Sequence, residues 1–302
     1  MRTTIHQLKD MKRRGERIGM ITAYDYTSAR IVDEVGFPAI LVGDSMSQVM
    51  LGYEDTVPLT LDESIHHTRA VVRGTTRSHI VADMPFLSYN TGWPDAVRNA
   101  GRYLKEAGAQ SVKVEGGVHM VSTIRKLIAA GIPVMGHIGL TPQSVNQLGG
   151  YKVQGKSPLE AQRLLTDALA LQEAGVYSVV LELVPAEVAR EITAALDVPT
   201  IGIGGGPHCD GQIQVLHDVL GLFEVFIPKH TRRYANMADD MRAALGAYFS
   251  DIKDGSFPGD AESSHVSEDV VAAMRPDGGH GNAGSANENP SDGAGEEGEA
   301  SE

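Results

Sequence analysis

Two hydrophobic rhythms alternate along this chain. Short apolar runs rich in Val and Ile lie between longer stretches in which apolar residues recur every three or four positions. The first is the rhythm of buried strands and the second that of amphipathic helices. "DEVGFPAILVGD", "KEAGAQSVKVEGG", "IAAGIPVMGHIG" and "QEAGVYSVVLELVP" all follow one order: helical stretch, glycine, apolar run, polar residue. Gly36, Gly108, Gly131 and Gly175 stand where a helix ends in left-handed backbone. The stretch 94–108 puts Ala96, Val97, Ala100, Tyr103, Leu104 and Ala107 on one stripe. The stretch 160–175 does the same with Ala161, Leu164, Leu165, Ala168 and Leu169, and Gln172 is its one polar member.

Strands are predicted near 18–23, 39–43, 79–83, 111–115, 133–137, 177–183, 199–203 and 223–227. Each is followed by a helix candidate, the fifth through a long loop at 141–157. Eight alternating units in about 250 residues predict an α/β fold of the (βα)8 TIM barrel kind. A doubly wound open sheet is the alternative, because a count of strands does not show closure.

Such a barrel gathers its chemistry at the C-terminal ends of its strands, and polar residues fall there. Asp44 and Ser45 end "AILVGDS", Asp83 ends "HIVAD", His137 ends "PVMGH", and Glu182 lies near the end of "SVVLELVP". "SVKVEGG" carries Lys113 and Glu115, two apart and so on one face of a strand. Taken singly, each has a plainer role. A strand-end acid caps the next helix, a histidine satisfies a core hydrogen bond, and Glu182 pairs with Lys113. Convergence on one mouth favours function, since burying this many charges costs several kcal/mol per unpaired ion. Asp44, Asp83 and Glu115 offer only oxygen, which suits Mg2+ or another hard divalent cation. The run "IGIGGGP" after the seventh strand reads as a phosphate loop or as a tight turn. "GGYKVQGK" reads as a substrate loop or a plain connection.

Charge changes the picture only at the end of the chain. The net charge is −13, but residues 260–302 hold eleven Asp/Glu against one Arg, so the rest is near balance. Residues 1–258 are therefore expected to form the catalytic barrel, and 259–302, rich in Gly, Ser and acid, a disordered acidic tail. Nothing here has the basic footprint of a nucleic-acid binder, and no run is long and apolar enough to span a membrane. The first twenty residues are basic without an apolar core, unlike a secretory leader. One cysteine, Cys209, allows no intrachain disulfide. A cytoplasmic protein is expected.

The chain resembles the 3-methyl-2-oxobutanoate hydroxymethyltransferase (ketopantoate hydroxymethyltransferase) family. The matching motifs are "TAYDY" at 22–26, "LVGDS" at 41–45, "VPLTLDE" at 57–63, "ADMPF" at 82–86, "VKVEGG" at 112–117, "GHIGLTPQSVN" at 136–146, "GGYKVQG" at 149–155 and "DGQI" at 210–213. The resemblance implies a (βα)8 barrel. It implies transfer of a one-carbon unit from 5,10-methylenetetrahydrofolate to 3-methyl-2-oxobutanoate through a metal-stabilised enolate, within pantothenate and coenzyme A biosynthesis. It implies Asp44, Asp83 and Glu115 as metal ligands, and Ser45, Asp83 and Lys113 as oxoacid contacts, with Asp44 and His137 also in the substrate site. Glu182 is the implied proton acceptor, and a homo-oligomer, a decamer, the implied assembly. Ser47 and the run "IGIGGGPHCDGQ" depart from the family pattern, which bears on loop geometry and pterin contacts. Two alternatives stay open. One is a Mg2+-dependent lyase or mutase, which would want a reactive cysteine in an active-site loop. The other is a catalytically dead barrel that binds or assembles.

Overall fold

A computed structural model describes residues 1–274. Eight parallel strands close into a barrel in chain order: β1 (Ile18–Thr22), β2 (Ala39–Val42), β3 (His79–Asp83), β4 (Ser111–Glu115), β5 (Val134–Gly139), β6 (Ser178–Glu182), β7 (Thr200–Ile203) and β8 (Gly211–Gln214). β1 pairs with β8, Ile18 opposite Gly211, which settles closed barrel against open sheet. That seam is tight: a Cβ on Gly211 would stand 2.3 Å from the Ile18 carbonyl oxygen.

Seven of the eight predicted strands are found in place. The eighth is not. The run at 223–227 is irregular, with Val225 and Phe226 exposed, and the last strand is the shorter "GQIQ" at 211–214. Two glutamines and a glycine hid it, because its outer face, with Gln212 exposed, lacks the apolar residues that mark a buried strand. β7 also lacks the helix expected after it; residues 204–210 return directly to β8.

The helices form where the periodicity places them. Ala96, Ala100, Tyr103 and Ala107 are buried along one stripe, the last two in a π-helical turn that continues Trp93–Arg102. In Pro158–Ala174 the buried stripe is Leu164, Ala168, Leu171 and Ala174, and Leu169 is exposed. Gln172, its polar member, accepts the backbone N–H groups of Asp197 (2.6 Å) and Val198 (3.1 Å) at the entry to β7. Gly36, Gly108 and Gly175 cap their helices in left-handed backbone.

Inside the barrel Ile18, Met20, Leu41, Val81, Met135, Val180, Ile201 and Ile213 pack together with Leu8 and Met11. These last two come from the helix Ile5–Arg13, whose Lys12 reaches the Val198 carbonyl (3.2 Å) and Asp210 (2.9 Å) at the N-terminal strand ends. The opposite, C-terminal end is thus left for the site. The division of the chain into compact units falls at Arg242 and Ala243. In the second unit Tyr248 packs edge-on against Phe257, and the chain goes on through a 3-10 turn, Asp260–Glu262, and a helix, Glu268–Met274. Where the composition predicts none, residues 260–262 and 268–274 thus carry regular structure; the remainder of the acidic tail from 275 lies outside the described residues. Among these residues no helix is long and apolar enough to cross a membrane.

The entry to β3 hangs on one carboxylate. Asp33, 5% exposed, accepts the backbone N–H groups of Thr76 (2.9 Å), Arg77 (3.1 Å) and Ser78 (2.7 Å). Burial alone would raise its pKa, but these donors hold it well below the usual carboxylate range. A depressed pKa adds stability above the ordinary value near 4 and loses it as pH falls below that. Asp33→Ala should lower stability by about 3 kcal/mol at neutral pH. Denaturant unfolding should show that gap narrowing toward pH 2.

Candidate active site

Lys113 stands at the centre of the barrel mouth, 3% exposed. As the shared face on β4 predicts, Glu115 points the same way, 3.7 Å from the ammonium. The closer partner is Asp83 on the paired strand β3, at 2.8 Å. Lys113 Nζ also lies 3.1 Å from His137 Nδ1 on β5. His137 stands 3.3 Å from Glu115 and, through its other ring nitrogen, 3.2 Å from Glu182 on β6. Glu182 therefore pairs with His137 and not, in the plainer reading of the sequence, with Lys113. Asp44, just beyond β2, donates its backbone N–H to Asp83 (3.1 Å), and Ser45 Oγ meets the Tyr24 hydroxyl at 2.8 Å. All seven residues named from the sequence, Asp44, Ser45, Asp83, Lys113, Glu115, His137 and Glu182, line one cavity.

The charges decide one another's state. Burial would strip Lys113 of its proton, yet Asp83, Glu115 and Asp44 around it hold it firmly protonated. Asp44 is pushed well above the usual carboxylate range, first by burial and then by the charges of Asp83 and Glu115. Asp83 is raised by burial against the pull of Lys113. Glu115 is lowered despite burial, because His137 and Lys113 face it. For His137, burial and the Lys113 charge push down, but Glu115 and Glu182 outweigh them and bring it to about 9.

The oxygens of the site suit a hard cation. Asp83 Oδ1 and Glu115 Oε1 are buried and accept no aligned hydrogen bond, although the Lys113 charge is near both. Crowded, under-satisfied carboxylate oxygens are what a divalent cation relieves. Among the described residues no three Asp, Glu, His or Cys side chains are drawn together closely enough to hold a metal by themselves. The residues fit a cation that completes its shell from water and substrate.

Three residues of the site escaped sequence reading. Gln143, in the loop after β5, donates from its side-chain nitrogen to Asp44 (2.9 Å) and to the Met84 carbonyl (2.9 Å). Its backbone N–H reaches Glu115 (3.1 Å). Tyr89, 1% exposed, donates to the Gln143 amide oxygen (2.7 Å) and accepts the Glu115 N–H (3.2 Å). Tyr24 braces Ser45. Gln143 sits inside "GHIGLTPQSVN", but a neutral residue in a connecting loop gives no charge signal. Leu183, directly after Glu182, has a left-handed backbone (φ 45). It is held there by bonds from its N–H to the Ile203 carbonyl and from Gln154 N–H to its own carbonyl, both 2.9 Å. Strain of this kind collects at functional sites.

The glycine run packs as a tight turn. A Cβ on Gly204 would stand 2.7 Å from the Leu183 side chain, and one on Gly206 2.4 Å from Ala186. Tyr151 and Val153 of "GGYKVQGK" line the cavity. Cys209 does not; it is fully buried in the outer core against Gly202, and burial pushes its thiol pKa up.

Fold and mouth together define a (βα)8 barrel with a charged, acid-rich site at its strand ends. The solved structure of 2,3-dimethylmalate lyase superposes with TM-score 0.56 at 18% identity, covering 87% of this chain and 93% of that one. Phosphonopyruvate hydrolase with oxalate and Mg2+ gives 0.54 at 15%, covering 90% and 95%. At such identities the likeness is one of fold. Sequence goes further. The family model for ketopantoate hydroxymethyltransferase matches residues 2–260. The 3-methyl-2-oxobutanoate hydroxymethyltransferase of Chloroflexus aurantiacus is 58% identical over 273 residues, 90% of this chain and 96% of its own. That of Moorella thermoacetica is 59% identical over 257 residues, 85% and 96%. The chain belongs to the ketopantoate hydroxymethyltransferase family.

Because Gln143 and Tyr89 act as one network, their losses should not add. Gln143→Leu should lower stability by about 2 kcal/mol. Tyr89→Phe on that background should cost clearly less than it does alone. Thermal unfolding of the two single variants and the double variant checks this.

Proposed function

We propose that this cavity transfers a hydroxymethyl group from 5,10-methylenetetrahydrofolate to 3-methyl-2-oxobutanoate, giving 2-dehydropantoate for pantothenate and coenzyme A synthesis. One observation carries the reading: a buried, protonated Lys113 with Glu182 set apart from it on the far side of His137, all facing one cavity. A 2-oxoacid anion needs a fixed positive charge to bind, and loss of its C3 proton needs a base set apart from that charge.

Lys113 holds the anionic end of the oxoacid, with Ser45 and the Asp44–Asp83 corner beside it. Glu182 takes the C3 proton, and His137 orients its carboxylate. The electron pair left at C3 forms a carbon–carbon bond to the methylene carbon. That carbon's two bonds to folate nitrogens both break, one as the carbon–carbon bond forms and the other as a water oxygen takes its place to give the hydroxyl. The freed nitrogens take up the proton removed by Glu182 and one from the water. Asp44, Asp83 and Glu115 would hold Mg2+ or another hard divalent cation. When bound, the cation supplies positive charge beside the oxygens that turn anionic as the proton leaves. The same reading carries a cytoplasmic homo-oligomer, a decamer by the family's habit. Supporting self-association, the helix Met237–Asp254 buries none of its residues and exposes Met241, Leu245, Tyr248 and Phe249.

Exchange of the C3 proton of the oxoacid with deuterated solvent, without folate, isolates the first step. Glu182→Gln should slow it at least about 100-fold; exchange at the wild-type rate would remove Glu182 as the base. For the cation, calorimetric titration of Mg2+ in the presence of oxoacid should show binding that Asp83→Ala abolishes. An unchanged titration would take Asp83 out of the metal site.

A further inference from the structure

The cavity, about 1450 Å3, is far larger than a five-carbon oxoacid requires. The acids, Lys113 and His137 of the site described above lie on its β2 to β6 side. The wall formed by β8, β1 and the segment after β8 differs in kind: Ile18, Val215, Phe223, Val225 and Phe226 give it apolar surface beside Arg17 and Lys229, and one carboxylate, Asp218, is set in it.

Asp218 is only 7% exposed. Among the described residues, no donor is hydrogen-bonded to its carboxylate and no cation comes within salt-bridge distance. Arg233, the cation whose charge it feels, instead donates to the Phe223 carbonyl (2.8 Å). A carboxylate 7% exposed that lines a cavity without a protein partner calls for a reason. Burial pushes its pKa up to about 6, as expected of a group lacking donors. Its position is fixed nonetheless. Leu216, two residues before it, donates its backbone N–H to Thr22 Oγ1 at the end of β1 (2.9 Å). Tyr24 feels the charges of both Asp218 and Asp44, and its hydroxyl touches Ser45. Asp218 thus faces the cavity across Tyr24 from the oxoacid corner.

We infer that Asp218 binds the amino-pyrimidinone edge of the reduced pterin, its two oxygens accepting from the ring N–H and the neighbouring amino group. This rests on the reaction proposed above. The two donors lie side by side, as in a guanidinium fork, and a carboxylate matches them in a bidentate pair. The apolar wall suits the faces of the ring system. The methylene bridge lies on the opposite side of the bicycle from that edge. Anchoring the edge at Asp218 therefore turns the reactive carbon toward Lys113 and Glu182.

Asp218→Asn keeps the shape and replaces one acceptor with a donor. It should raise KM for methylenetetrahydrofolate at least about ten-fold, the loss of a bidentate acceptor, while folate-independent C3 exchange stays at the wild-type rate. Direct binding of tetrahydrofolate, followed by protein fluorescence, should weaken equally. A 2-desamino tetrahydrofolate should bind the wild-type protein more weakly than tetrahydrofolate, and Asp218→Asn should not tell the two apart. Wild-type binding of tetrahydrofolate by Asp218→Asn overturns the assignment. So does equal binding of both pterins by the wild-type protein, a comparison that stands whatever the variant's stability. The proposed reaction fails separately, if the wild-type protein shows no C3 exchange. Selective loss of tetrahydrofolate binding in Asp218→Asn would still uphold the subsite.

Discussion

A single ammonium sets the terms for everything at the mouth of this barrel. Lys113 is buried among Asp83, Glu115 and Asp44, and none of them would hold its charge there alone. The acids keep the lysine protonated, and the lysine keeps the acids from repelling one another. Lys113 and a protonated His137 do not balance four acids, Glu182 included, and the residue of that imbalance is visible in Asp44, driven toward its neutral form. The neutral scaffold around them, Gln143 and Tyr89, spends its hydrogen bonds holding the carboxylates apart and in place. The site is a stable arrangement of opposed charges that a bound oxoacid and a cation together would bring closer to neutrality.

The strands that carry the charges were legible because their chemistry lies on top of a strong apolar pattern. Lys113 and Glu115 interrupt a valine run, and alternation alone puts both on the inner face. Asp44, Asp83, His137 and Glu182 end runs of the same kind, so a barrel reading brings them together. What failed to show were features without such contrast. β8 is built from Gly211, Gln212, Ile213 and Gln214, and Gln212 on its outer face is exposed, so no apolar signature was required of it. The run at 223–227 carries that signature and forms no strand, because Val225 and Phe226 stand at the cavity wall. Gln143, Tyr89 and Tyr24 are set by contacts tens of residues away in the chain, and periodicity is silent on those.

The missing helix after β7 explains several local choices at once. With only residues 204–210 to return the chain, backbone must pass close to backbone. Gly204, Gly206 and Gly211 sit where a Cβ would collide with Leu183, Ala186 and Ile18. The glycine run is thus a packing solution to a short connection. Gly204 in particular makes room for the side chain that follows Glu182, so the turn and the strained backbone at Leu183 belong to one arrangement.

The bond from Leu216 to Thr22 joins residues 194 positions apart. Contacts of that span close a long loop and are slow to form. During synthesis the strands bearing Lys113, His137 and Glu182 emerge well before the strand that seals the barrel. A nascent chain stopped short of residue 211 lacks the strand that seals the barrel against β1. Full burial of the most crowded charges in the molecule therefore depends on the strand made last.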